Sequence, residues 1–183
     1  MIPFTSLSAG SLVTAQERVV GQQVPQGLPL VMEAGQVGRV TQALGDSLSV
    51  ELEGRLARFE SHQLSSFGVS PPADLAPIDE PLDAQVMTVL RSCYDPEIPV
   101  NVVDLGLIYD LRLSTLIDGR QHVRIDMTLT APGCGMGPIL TRDIKAKLEA
   151  LPRIDQADVV LVFDPPWDAS RMTEEARLEA GLF

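Results

Sequence analysis

The stretch Gln121-His122-Val123-Arg124-Ile125-Asp126-Met127-Thr128-Leu129-Thr130-Ala131-Pro132-Gly133-Cys134-Gly135-Met136-Gly137-Pro138 decides how this chain is read. Val123, Ile125, Met127 and Leu129 alternate with His122, Arg124, Asp126 and Thr128, the period of a strand with one buried and one wet face. Gly137-Pro138 then opens a helix, because proline is tolerated in a first turn, and Ile139, Leu140, Ile144, Leu148 and Leu151 recur at helical spacing. Cys134, one of only two cysteines in 183 residues, therefore falls between a strand and a helix N-terminus. Free backbone N–H groups and the positive end of the helix dipole predict a stabilised thiolate there, able to bind a soft metal or attack an electrophile. Gly133, Gly135 and Gly137 let backbone approach whatever the sulfur holds. The competing reading is a cysteine that is simply a small buried apolar residue.

Outward from this stretch, Pro152 stops the helix and Ala157 to Phe163 reads as a continuous apolar strand. On the other side, Leu107 to Leu113 reads as a strand joined through a turn at Asp118-Gly119. Further upstream, Leu82, Val86, Leu90 and Cys93 fall on one helical face, which places Cys93 in the core rather than among ligands. Asp79 is the expected cap of that helix, Pro81 suits its first turn, and Asp95-Pro96 is the expected end, since a residue before proline is pushed out of the helical region. In the tail, Thr173 with Glu174 and Glu175 caps a short final helix. Trp167, the only tryptophan, reads equally as a hydrophobic lid over the sheet or as a partner contact.

Residues 71–81 hold four prolines, a density that suits neither a helix interior nor a central strand. Before them, short runs of Val, Leu and Thr separated by glycines have the rhythm of a small all-β module, with a hairpin across Gly45-Asp46 that puts Leu48, Val50 and Leu52 on one face. His62, the lone histidine there, has no second ligand at metal-binding spacing. The expected organisation is a β-rich module over residues 1–68, a Pro-rich linker over 69–81 and a second domain over 82–183. The fold class is α+β: the all-β module, then a compact domain with a mixed three-stranded sheet and packed helices in the order helix-strand-strand-helix-strand-helix.

Apolar residues make up 45% of the chain, enough for a real core, and the formal charge of -11 argues against nucleic acid or an anionic membrane as partner. The apolar runs are too short to span a bilayer, and residues 1–16 lack a basic signal-peptide region, which predicts a cytoplasmic protein. A reducing compartment keeps both cysteines as thiols, although one Cys93–Cys134 bridge is compatible with the sequence.

Three carboxylates, Asp95, Glu97 and Asp104, lie in one proline-interrupted loop. They could serve as ligands, or Asp95 and Asp104 could fold the loop through local side-chain to backbone bonds, the commoner use of aspartate in turns. A cysteine-nucleophile enzyme needs a base beside Cys134, and His122 reaches it only if the wet face of its strand turns toward the loop. The spacing of two cysteines and two histidines matches no structural zinc site, and Pro138-Ile139 stands where a phosphate-binding loop needs Lys-Ser/Thr. The remaining soft-metal option is a site shared between chains, since one or two thiolates fall short of the four usual for an iron-sulfur cluster.

Asp95-Pro96-Glu97 through Asp104-Leu105-Gly106-Leu107-Ile108, then Thr130-Ala131-Pro132-Gly133-Cys134, then Pro165-Pro166-Trp167 with Met172-Thr173-Glu174-Glu175-Ala176, together resemble the metal-sulfur cluster assembly factor domain family. The resemblance runs from about Leu82 to the C-terminus and is nearest to SufT-like members. It implies a small α+β domain acting as an accessory factor, not an enzyme, in iron-sulfur protein maturation. Its partners would be iron-sulfur apo-proteins and assembly machinery, its cofactor a transiently held iron-sulfur cluster, and a homodimer one way of sharing it. Cys134 matches the family's reactive cysteine and would be the cluster and metal ligand. Asp95, Glu97 and Asp104 match its acidic positions, Thr130 the threonine before the cysteine loop, and Gly133 and Gly135 flank the sulfur. Many members have Cys-Pro where this chain has Cys134-Gly135, and a serine where it has Thr173. A metal-free protein adaptor and, third, a thiol enzyme using Cys134 with His122 are the alternatives.

Overall fold

The computed structural model describes residues 1–72 and 79–181, which fall in two compact units, Met1–Asp74 and Leu75–Phe183. The first unit contains β1 (Ile2–Pro3), β2 (Leu12–Thr14), β3 (Val19–Val24), β4 (Pro29–Met32), β5 (Val37–Leu44), β6 (Ser47–Leu52), β7 (Arg55–Phe59) and β8 (Val69–Ser70). Six of them form an antiparallel sheet in the order β2-β5-β6-β7-β3-β4, and β1 pairs with β8 in parallel. The expected hairpin is present: Leu44 pairs with Ser47 across Gly45, whose φ of 62° favours glycine, and Leu48, Val50 and Leu52 are buried. The stretch read as a Pro-rich linker, 69–81, begins with an ordered pair of residues. Val69 is fully buried and, with Ser70, belongs to a ladder of this unit, while residues 73–78 of that stretch lie outside the described residues.

The second unit holds α1 (Leu82–Arg91), β9 (Ile108–Thr115), β10 (Gln121–Met127), α2 (Gly137–Glu149), β11 (Gln156–Leu161) and α3 (Glu174–Glu179). Its sheet has the order β11-β10-β9, with β10 antiparallel to β9 and parallel to β11, the mixed sheet expected from sequence. Val123, Ile125 and Met127 of β10 are fully buried against Val86 and Leu90 of α1 and Ile144 and Leu148 of α2. The opposite face carries His122, Arg124 and Asp126, cross-linked to neighbours by ion pairs such as Arg124–Asp126 at 3.0 Å. β11 is an edge strand, and only Ala157 is buried outright; Val159 and Leu161 pack on the core while Asp158 on the other face pairs with His122. The reading of Ala157 to Phe163 as a continuous apolar strand needs correction, since Asp158 interrupts the run and the strand spans Gln156–Leu161.

Three boundaries differ from the sequence expectation. Pro81, not Asp79, occupies the cap position of α1, and no side chain caps it. The helix stops at Arg91, ahead of Asp95-Pro96, because Cys93 turns back on the last turn and its carbonyl then accepts from Val102 N at 2.9 Å. β10 ends at Met127, since a register irregularity after Asp126 turns Thr128 N toward Leu107 O, leaving Leu129 and Thr130 beyond the ladder.

After β11 the chain runs back as a strap, residues 164–180, over the loop between α1 and β9. Trp167 Nε1 donates to Leu105 O at 2.8 Å, Tyr109 Oη to Pro165 O at 2.9 Å, and Thr173 N to Asp104 O at 2.9 Å. Met172 and Ala176 enter the core, and Thr173 caps α3 by accepting from Ala176 N, as the sequence suggested. Gly106, at φ 67°, is where loop and strap meet most closely: a Cβ there would overlap the Arg171 carbonyl. Gly106→Ala is accordingly expected to cost about 3 kcal/mol, combining left-handed strain with overlap, and Gly119→Ala, at φ 84° in open space, only about 1 kcal/mol. Urea titrations followed by the fluorescence of Trp167 measure both; equal losses would contradict the close approach.

Candidate functional site

The loop between α1 and β9 is irregular yet buried: Val100, Val102, Leu105 and Leu107 all enter the core. Its polar side chains fold it. Asp95 Oδ1 accepts from Glu97 N and Ile98 N, both at 2.9 Å, and Asp95 is itself buried. Asn101 Oδ1 accepts from Val103 N at 3.1 Å and Asp104 N at 3.0 Å, while its Nδ2 donates to Asp104 Oδ2 at 2.6 Å. Of the three carboxylates, Glu97 alone is exposed, and the Cys134 thiol donates to its Oε1 at 3.9 Å.

Cys134 sits in a turn that leads into α2. Its N–H donates to Ala131 O at 3.2 Å, its carbonyl accepts from Gly137 N at 3.1 Å, and Met136 N–H donates to the sulfur. Gly133 adopts φ 94°, which an L side chain resists. Gly137 sits against Leu129 and Leu161, where a Cβ would lie 2.6 Å from Leu129 Cδ1, so the start of the helix rests on the sheet. Gly135 is exposed and Thr130 half-buried at the head of the loop.

The thiol is not the stabilised thiolate that its place before a helix suggests. Burial raises its pKa most, the Met136 N–H opposes that, and the charges of Glu97 and Asp95 with the Glu97 hydrogen bond raise it further. One oriented N–H is outweighed by partial desolvation and two carboxylates. Asp104 acts elsewhere: together with Glu179 it adds to the burial that raises the pKa of Tyr94. The acidic positions thus divide, Glu97 and Asp95 toward the sulfur and Asp104 toward Tyr94.

Other candidates separate from this site. Cys93 is fully buried, its Sγ donating to Val89 O at 3.4 Å and accepting from Lys147 Nζ at 3.9 Å, and neither cysteine is in a disulfide, so the Cys93–Cys134 bridge is not formed. His122 is engaged on the charged face, Nε2 with Asp158 Oδ2 at 2.9 Å and Nδ1 with Ser114 Oγ at 3.4 Å. That hydrogen bond holds Asp158 below the usual carboxylate range. The side chain that meets Cys134 is Glu97 rather than a histidine base. Sequence reasoning missed Asn101, although Asn-X-X-Asp is a spacing at which a side-chain amide can organise a turn. Trp167, left between lid and partner contact, proves to pack on the core and to bond Leu105. Among the described residues no group of three or more His, Cys, Asp or Glu is arranged to hold a metal ion, and no helix is long and apolar enough to cross a membrane.

Residues 83–160 match a family model described as iron-sulfur cluster assembly protein. The chain is 41% identical over 100 residues to an Fe-S protein maturation auxiliary factor of Porphyromonas gingivalis, a match that spans 55% of this chain and 91% of that one. It is 36% identical to Fe-S protein maturation auxiliary factor YitW of Bacillus subtilis, over 57% of this chain and 99% of that one. Fe-S protein maturation auxiliary factor SufT of Staphylococcus aureus is 35% identical, over 48% and 96% respectively.

Because alkylation follows the thiolate, the raised pKa places the alkylation profile of Cys134 at higher pH than that of an exposed cysteine. Glu97→Gln removes one charge and leaves the burial, so its midpoint is expected to move down yet stay above that of an exposed thiol. Iodoacetamide rates against pH, with modified peptides identified by mass spectrometry, provide the check; an unmoved midpoint would exclude Glu97 as a determinant.

Proposed function

The chain belongs to the iron-sulfur cluster assembly protein family, and from that membership we propose that it is an auxiliary factor in iron-sulfur protein maturation whose cargo is held through Cys134. The observation that carries the reading is the contrast between the two thiols. Cys93 is sealed in the core, whereas Cys134 is partly accessible on a loop, beside the carboxylate of Glu97. On this reading the cluster is cargo rather than a resident cofactor. One thiol is an incomplete shell, so a second copy of the chain or a recipient apo-protein would supply the remaining thiolates. Handover is then ligand exchange, downhill because the recipient's shell is fuller.

The raised thiol pKa fits an empty carrier. Cys134 stays largely protonated at neutral pH, and iron must displace that proton to bind. Asp95 and Asn101 would keep the loop shaped around the sulfur, and Gly133 and Gly135 would leave it open from outside. The protein is an accessory factor rather than an enzyme here, with iron-sulfur apo-proteins and assembly machinery as partners.

A second reading, a metal-free adaptor, draws on the absence among the described residues of a three-ligand metal group. Anaerobic iron and sulfide reconstitution of wild type and Cys134→Ala separates the two. The carrier predicts a visible chromophore with countable iron in wild type, its loss in Cys134→Ala without unfolding, and uptake that rises with pH by up to about tenfold per unit below the thiol pKa, since one proton is expelled. Full iron occupancy in Cys134→Ala would sink it, and failure of both proteins to take up iron while the variant still captures the same apo-proteins would establish the adaptor.

A further inference from the structure

We propose that Trp167 is a positioning residue for the Cys134 site, acting through the Leu105 carbonyl on the loop that carries Glu97; this rests on the reading of Cys134 as the working thiol. The strap bearing Trp167 lies after the residues matched by the family model, which end at 160. The loop it grips belongs to neither sheet nor helix, so its position depends on its own hydrogen bonds and on whatever presses on it. Trp167 Nε1 donates to Leu105 O, Thr173 N to Asp104 O, and Tyr109 Oη fixes the strap at Pro165 O. The Arg171 guanidinium lies 4.3 Å from the centre of the Tyr109 ring, closing the grip on the far side of Gly106.

A continuous path of bonds leads from this grip to the sulfur. Leu105 N donates to Asn101 O at 3.0 Å, Leu107 N to Val102 O at 3.0 Å and Val102 N to Cys93 O at 2.9 Å. Asp95 N donates to Val100 O at 3.1 Å, and the Asp95 carboxylate in turn holds Glu97 N. Residues 100–102 therefore tie the strapped end of the loop to the turn that presents Glu97 to Cys134. An indole suits this place because its ring packs on the core while its N–H satisfies a carbonyl of an irregular segment. Phenylalanine keeps the ring and leaves that carbonyl without its donor, so Leu105 is less firmly held and Glu97 spends less time beside the sulfur.

The test is the rate of iodoacetamide alkylation at one fixed neutral pH, with Cys134 and Cys93 peptides quantified separately. It involves no iron, so its outcome stands apart from that of the reconstitution. Trp167→Phe is expected to speed alkylation of Cys134 by about twofold to fivefold, the span of one weak surface contact, because Glu97 no longer lies against the sulfur, with Cys93 still protected. In a Glu97→Gln background the same substitution is expected to add nothing, because both act through one contact. An unchanged rate would overturn the proposal. So would an equal acceleration in both backgrounds, which would mean that Trp167 does not act through Glu97, and so would alkylation of Cys93, which would mean general loosening. Should Trp167→Phe fail to fold, Tyr109→Phe, which releases the strap at Pro165, goes through the same comparison.

Discussion

An irregular segment whose apolar side chains enter a core must satisfy its backbone polar groups without a ladder or a helix, and the second unit is organised around that constraint. Val100, Val102, Leu105 and Leu107 bury the loop between α1 and β9 in the same core that holds the helices and sheet. Asp95 and Asn101 answer its N–H groups from within, and Trp167 and Thr173 answer the carbonyls of Leu105 and Asp104 from the strap. Glu97 is what remains: a carboxylate with no assigned folding duty, held out at the surface by a turn that others maintain.

The electrostatics of Cys134 follow from the same arrangement. A helix N-terminus offers one N–H to the sulfur, a local effect that falls off within a turn. Partial burial and two carboxylates act in the opposite sense and prevail. A thiol kept protonated is slow toward stray oxidants and electrophiles, since the thiolate is the reactive form. A soft metal ion can still claim it by displacing the proton.

Much of this fold was legible in the chain because it is local. The alternation of Val123, Ile125 and Met127, the Gly45-Asp46 hairpin, the Pro138 helix start and the Thr173 cap each depend on a few adjacent residues. What was not legible depends on distant partners. Asp79 yields the cap position of α1 to Pro81, and α1 ends early because Cys93 meets Val102. The run read as continuously apolar from Ala157 to Phe163 forms an edge strand that is only partly buried, with Asp158 drawn to His122 on the charged face. At the site, the sequence could name Cys134 and Glu97 but not their proximity, across 37 positions of chain, and it read the thiol by the helix alone. The strap was the least visible part, since nothing local to Trp167 says which carbonyl its indole will find.

The parallel pairing of β10 with β11 carries a consequence for how such a domain can change over time. Parallel neighbours cannot be joined by a tight hairpin, so the chain must leave the end of β10, cross through α2 and return. The Cys134 turn is the first part of that detour and contributes no rung to the ladder, which ends with Met127 opposite Leu161. Substitutions within Ala131 to Gly135 can therefore retune the sulfur while every strand keeps its neighbour. The architecture lets chemistry drift at a fixed address.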